Sequence, residues 1–166
     1  MGEEDVGIAI HLHWLWLMKM KGGCQADFTG LDLEGYDFKG EDLSYAKMQR
    51  TYLGGAKLDG CCMRGADLYG ANLETASLVG TYLSEAKLEK AVFHYCDLTD
   101  ACIRSACLKR TKLGWTQLIN TDFTGSDLSG ANFQYCKAKN VNMKDCIMEG
   151  TYLTLTSKAA LKEMIL

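Results

Sequence analysis

ADLYGANLETASLVG, residues 66–80, holds three consecutive copies of one five-residue pattern. A small residue is followed by an outward-type polar residue, a leucine, and two more residues, of which the last is often glycine. Followed in both directions, the register does not break. Taking every fifth residue from Phe28 to Leu153 gives 26 positions, of which 25 are large and apolar; Ala138 is the exception. Two residues before each centre the chain prefers small side chains, as at Ala26, Ala46, Ala56, Cys61, Ala66 and Thr81. Two residues after it glycine recurs, from Gly30 and Gly35 through Gly130 and Gly150.

A period of five fits neither a helix nor a flat strand. A strand would turn every second centre to water, and a helix would sweep the centres around its axis. All 25 are buried together only if the chain bends once per repeat and winds about a shared axis. The centre and the small residue before it then face inward, and the other three positions face outward. Glycine suits the bend because it tolerates positive φ.

The units Ala26-Asp27-Phe28-Thr29-Gly30, Ala66-Asp67-Leu68-Tyr69-Gly70 and Ala71-Asn72-Leu73 resemble the pentapeptide-repeat family, whose signature is Ala-(Asp/Asn)-Leu-X-X. The resemblance implies an all-β solenoid, a right-handed four-sided β-helix with four pentapeptides per coil. The 26 units then make about 6.5 coils, a tower of ~30 Å at the usual strand spacing. Residues 24–155 form the β-helix, 1–23 an amino-terminal capping segment and 156–166 a carboxyl-terminal capping or dimerisation helix.

The capping segment is apolar from Ile8 to Met20, too short to span a bilayer. It opens with Glu3, Glu4 and Asp5, where a secretory signal would carry bases, and closes with Lys19 and Lys21. This charge order favours a helix. The expected helix plugs the first coil with Leu12, Trp14, Leu15, Trp16 and Met18. The alternative is an anchor exposing Trp14 and Trp16. His11 and His13 read as surface residues. Leu31, Tyr36 and Glu41 break the small-residue rule in the first coil, and Glu41 is expected at the rim. Past Thr154 a helix bearing Leu161, Met164 and Ile165 either lids the last coil or pairs with a second copy.

The chain has eight cysteines and a net charge of −3. No two cysteines are 20 residues apart, the spacing of vertical neighbours in a four-unit coil, so all eight read as reduced thiols in a cytoplasmic protein. No catalytic constellation, zinc spacing or phosphate loop emerges, and neither an enzyme nor a cofactor is expected. The outward Asp and Asn belong to the repeat itself.

Two surfaces could meet a partner. One is the stack Tyr95, Trp115, Tyr135 and Leu155 at 20-residue spacing. The other is an acidic collar on the first coil, Asp27, Asp32, Glu34, Asp37, Glu41 and Asp42 against Lys39 alone. Higher up the signs alternate, as in Asp27, Lys47, Asp67, Lys87. The expected role is a scaffold that offers a rigid face to a protein partner, with no nucleic acid or membrane involved, as a monomer or a homodimer through the carboxyl-terminal helix. The resemblance also implies an alternative, mimicry of duplex DNA towards gyrase, as in quinolone-resistance members. A 30 Å stretch of duplex carries on the order of 18 charges, whereas the repeat body holds 17 acids against 14 bases. It also lacks the loop insertions of some gyrase-protecting members.

Overall fold

The computed structural model describes residues 2–153; the expected helix over 156–166, with Leu161, Met164 and Ile165, lies outside the described residues, as does Leu155. One helix, α1 (Glu3–Leu17), precedes the column. Among the described residues two short strands, β1 (Gln117–Ile119) and β2 (Lys137–Lys139), pair in parallel. Elsewhere single parallel bridges join each residue before a centre to its counterpart 20 residues on: Asp27 to Lys47, Asp32 to Tyr52, Asp37 to Lys57, Asp42 to Cys62. Four rungs per 20 residues make four sides.

The bonding at Phe28 shows how one repeat is built. Phe28 N–H donates to Lys47 O at 2.7 Å, Gly30 N–H to Gln49 O at 2.9 Å, and Lys47 N–H back to Ala26 O at 3.0 Å. Leu31 N–H closes the corner on Phe28 O at 3.0 Å. Two residues after each centre, from Gly30 to Gly150, φ is positive at eleven glycines and fourteen other residues, which is all 25 corners. A left-handed third residue is what a type II turn requires, and it explains why glycine recurs there.

Every centre from Phe28 to Phe133 is buried, while Ala138, Met148 and Leu153 near the far end are partly covered. The small sites do more than leave room. Thr51 Oγ1 donates to Phe28 O at 2.8 Å, Thr81 to Leu58 O at 2.8 Å and Thr121 to Leu98 O at 2.9 Å. The thiols of Cys96 and Cys136 reach Leu73 O and Leu113 O, both at 2.9 Å. At Phe28, Leu58 and Leu73 that carbonyl also accepts the corner N–H, so the hydroxyl or thiol takes its second lone pair. Burial pushes the thiols of Cys61, Cys96 and Cys136 up to about 12, which leaves them inert at neutral pH. None of the eight cysteines is in a disulfide.

At the open end the structure corrects the expected plug. Val6 and His13 are buried against the first coil and Ala9 and Ile10 pack beside them, whereas Trp14, Trp16 and Met18 are exposed and Leu12 and Leu15 only half-buried. The reason lies in the backbone. A first coil has no repeat before it: Ser44 O lacks the ladder donor that Gln49 O finds in Gly30 N–H, and Ala26 N–H lacks the preceding centre whose carbonyl takes a corner N–H, as Phe28 O takes that of Leu31. Ala26 N–H donates to His13 Nδ1 at 3.0 Å, and His13 Nε2 lies 3.0 Å from Ser44 O. With Nδ1 accepting, the proton sits on Nε2 and is donated to Ser44 O. An indole carries one donor and no acceptor, so α1 turns its histidine inward and its tryptophans out. His13 is therefore a buried structural group, not a surface residue; His11 is exposed. Gly23 lets the chain pass back along α1, since a Cβ there would lie 2.3 Å from Trp16 N.

Candidate functional site

Tyr95, Trp115 and Tyr135 occupy the same corner of three successive coils. Their rings stack at 5.5 Å and 19° between Tyr95 and Trp115, and at 4.9 Å and 23° between Trp115 and Tyr135. His94 approaches Trp115 edge-on at 6.2 Å, with Nδ1 3.3 Å from Gly114 O. All three aromatic residues have φ near +60° (60°, 57° and 61°). For a bulky side chain the left-handed region costs about 1–2 kcal/mol, and stacking returns about 0.5–1.5 kcal/mol per pair. Two pairs return about 1–3 kcal/mol against about 3–6 kcal/mol for three strained corners, so the stack adds no net stability. It leaves an exposed aromatic edge, with Trp115 at 50% exposure. The ring faces cover one another; what solvent meets is their rims. Below Tyr95 the corner continues through Thr75, Gly55 and Gly35, so the ladder begins abruptly.

The acidic collar does not form one surface. Asp27 and Asp37 lie on separate sides and pair with the next coil, Lys47 Nζ at 3.6 Å and Lys57 Nζ at 3.5 Å. Lys39 turns away to Asp59 at 3.2 Å. Asp32 and Glu34 share the ladder's side, and Asp42 lies on another. Among the described residues no ion pair involves Asp32, Glu34 or Asp42. On that shared side Glu34, Tyr52, Gly54, Asn72, Glu74 and Thr75 line an open groove of about 240 Å³. Glu74 was hidden from a search confined to the first coil. The series Glu34, Gly54, Glu74 at 20-residue steps carries the signal.

The recurring outward Asp and Asn have a backbone task. Asp27 Oδ1 accepts Thr29 N–H at 3.1 Å, Asp32 that of Glu34 at 3.2 Å, Asp42 that of Ser44 at 3.0 Å, and Asn132 that of Gln134 at 2.9 Å. These Asx turns hold the corner. Hydrogen bonds from Thr29, then the charge of Lys47, keep the Asp27 carboxyl below its ordinary value. At Asp122 burial acts in the opposite direction, but hydrogen bonds from Thr124 and Arg104 prevail and the carboxyl is also lowered. Alternating charge becomes real ion pairing higher up, with Lys87–Asp67 at 3.6 Å, Lys109–Asp127 at 3.0 Å and Arg104–Asp122 at 2.6 Å. Among the described residues no group of three or more His, Cys, Asp or Glu could hold a metal ion, and no helix is long and apolar enough to cross a membrane.

The profile for pentapeptide repeats matches residues 42–74, 76–114 and 111–150, eight copies in all. The chain belongs to the pentapeptide-repeat family. Its column is accordingly the family's right-handed four-sided β-helix. Among solved structures, this pentapeptide-repeat chain is similar to a pentapeptide repeat protein from Nostoc Pcc 7120, with 24% identity over 61% of this chain and 78% of that one, TM-score 0.51. It is 32% identical to one from the Arabidopsis thaliana thylakoid lumen, over 68% of this chain and 72% of that one, TM-score 0.32. A plasmid-mediated fluoroquinolone resistance protein is 19% identical over 84% of this chain and 90% of that one, TM-score 0.40. A search of curated proteins returns no match.

Proposed function

We propose that this pentapeptide-repeat protein is a non-enzymatic cytoplasmic scaffold that offers the side bearing Tyr95, Trp115 and Tyr135 to a protein partner. The supporting observation is that three bulky aromatics stand at consecutive left-handed corners where glycine would sit without strain. Their stacking does not repay that strain, and the exposed rims are open to contact with a partner. Tyr and Trp suit such a surface because they combine apolar area with a polar tip. Asp32 and Glu34, with Glu74, lie lower on the same side and favour a partner with a basic flank. Duplex mimicry is disfavoured by the vertical ion pairs, which neutralise Asp27, Asp37, Asp67, Asp122 and Asp127 in place.

The test is comparative cross-linking from cells with wild type and a Trp115→Ala, Tyr135→Ala variant. The variant is expected to lose specific partners while unfolding at a similar temperature. Unchanged partners would remove the ladder from consideration. In a supercoiling assay, gyrase is expected to be unaffected at micromolar protein; inhibition, or relief of quinolone inhibition, would favour mimicry instead.

A further inference from the structure

The helix α1 is apolar on both sides, and the column uses one of them. Val6, Ala9, Ile10 and His13 face the first coil. On the opposite side Gly7, Ile8, His11, Trp14 and Met18 follow one another at helical spacing, all exposed: Ile8 by 59%, Trp14 by 46% and Met18 by 54%. A helix apolar all round is characteristic of buried helices. Gly7 points the same way. Glycine inside a helix costs about 1 kcal/mol relative to alanine, and apart from its neighbours and the backbone of its own helix no atom of the chain lies within 4 Å of where its Cβ would be. Packing within the chain does not require it, whereas close approach of a second backbone would.

We propose that this stripe docks on the same stripe of a second copy, with the two α1 helices antiparallel, so that two columns join end to end through their amino-terminal caps. Charge selects the occupant. Glu4 and Asp5 stand at the start of α1, and Lys19 and Lys21 just beyond its end. A two-fold axis passing near His11 sets Ile8 against Trp14 of the other copy. The same axis brings each acidic pair toward the other copy's basic pair and opposes the helix dipoles. An anionic lipid surface fits poorly, because Glu4, Asp5 and the first-coil carboxylates Asp32, Glu34 and Asp42 would face like charge. The two collars do not forbid the pairing. Two helix thicknesses, ~20 Å, separate them, well beyond the Debye length of ~8 Å at physiological salt.

The full chain is examined by sedimentation and light scattering. Wild type is expected to be a dimer, and an Ile8→Glu, Trp14→Glu variant a monomer with unchanged circular dichroism, since both side chains are exposed in the single chain. A second arm mixes a Glu4→Lys, Asp5→Lys protein with a Lys19→Glu, Lys21→Glu protein. Each alone is expected to dimerise at least about tenfold more weakly, and the mixture to regain wild-type affinity as a heterodimer. The proposal is overturned if wild type is monomeric at ~100 µM, far above a micromolar Kd. It is equally overturned if the Ile8, Trp14 variant stays dimeric, which would place the contact elsewhere, for instance in residues 156–166. Failure of the charge mixture to recover rules out the antiparallel arrangement. A monomer that floats with phosphatidylserine vesicles assigns the stripe to lipid.

Discussion

The first coil and the fourth bury the same kinds of centre but complete their backbones differently. Around Phe93 the ladder amides find partners in the coils on either side, as when Phe93 N–H meets Lys112 O at 2.7 Å and Val92 N–H meets Ala71 O at 2.9 Å. The pattern repeats, so no single side chain is responsible for it: Ala91, Thr111 and Ala131 all serve at one small site. At the first coil the ladder groups that face the mouth have no coil to meet, and one of them, Ser44 O, turns to an imidazole that also takes the corner N–H of Ala26. The column is redundant and the cap is singular. This separates what a repeat can lose from what its end cannot.

Removing a ring from the column is the most damaging test. Phe93→Ala empties a fully buried site and is expected to cost about 3–5 kcal/mol in denaturant unfolding. A loss below about 1 kcal/mol would mean that coils unfold independently, and the column would not be the stronger region.

His13→Ala is expected to come next. It strands the Ala26 N–H and the Ser44 carbonyl, each at about 1–3 kcal/mol if no water reaches it. The damage should stay local: amide exchange faster in the first coil, unchanged around Phe93. Even loosening throughout would erase the distinction between cap and column.

Acid should separate the two regions by pH. Burial lowers the His13 pKa from its ordinary 6.5. The unfolded chain then binds the proton more readily, so the cap's full stability is present above about pH 6.5 and declines as pH falls below it. Protonation also sets an N–H on Nδ1 against the Ala26 N–H. Asp122 and Asp127, lowered from 3.8, hold their stability above that value and lose it only in stronger acid. Amide exchange is expected to rise first in the cap, below pH 6.5, and His13→Gln to abolish that step. Simultaneous loosening would count against a separate titration of the cap.

Surface changes should matter least. Trp115→Gly removes two stacking pairs but relieves a left-handed corner, and is expected to move stability by no more than about 1–2 kcal/mol. Lys57→Ala, which removes the 3.5 Å pair with Asp37, should cost less than about 1 kcal/mol. Thermal unfolding checks both.

The column was legible because its information is repeated. Any one of Leu53, Leu68 or Leu108 would be ambiguous, yet their common register excludes helix and strand together. The ion pairs Asp27–Lys47 and Asp67–Lys87 followed from their 20-residue spacing, whereas Arg104–Asp122 and Lys109–Asp127, 18 residues apart, did not. The hydrogen bonds of Thr51 and Cys96 did not follow. Smallness at those sites is visible in sequence, but the lone pair they meet belongs to a carbonyl 23 residues earlier. The scattering of the collar over separate sides, and the groove that brings Glu74 near Glu34, likewise required counting around the coil as well as along it.

Period and composition determined that the chain bends once per repeat about a shared axis, and which residues form the core, because one local rule applies many times; four units per coil and the right hand came with the family resemblance. Only the tertiary structure decided which face of α1 turns inward. Hydrophobicity ranks Trp14 and Trp16 above His13, and side-chain apolarity was all that the sequence offered for choosing the inward face of the cap. The decisive quantity was a pair of backbone groups at the column's mouth, an N–H and a C=O left without partners. A neutral imidazole can accept from one and donate to the other, and an indole cannot.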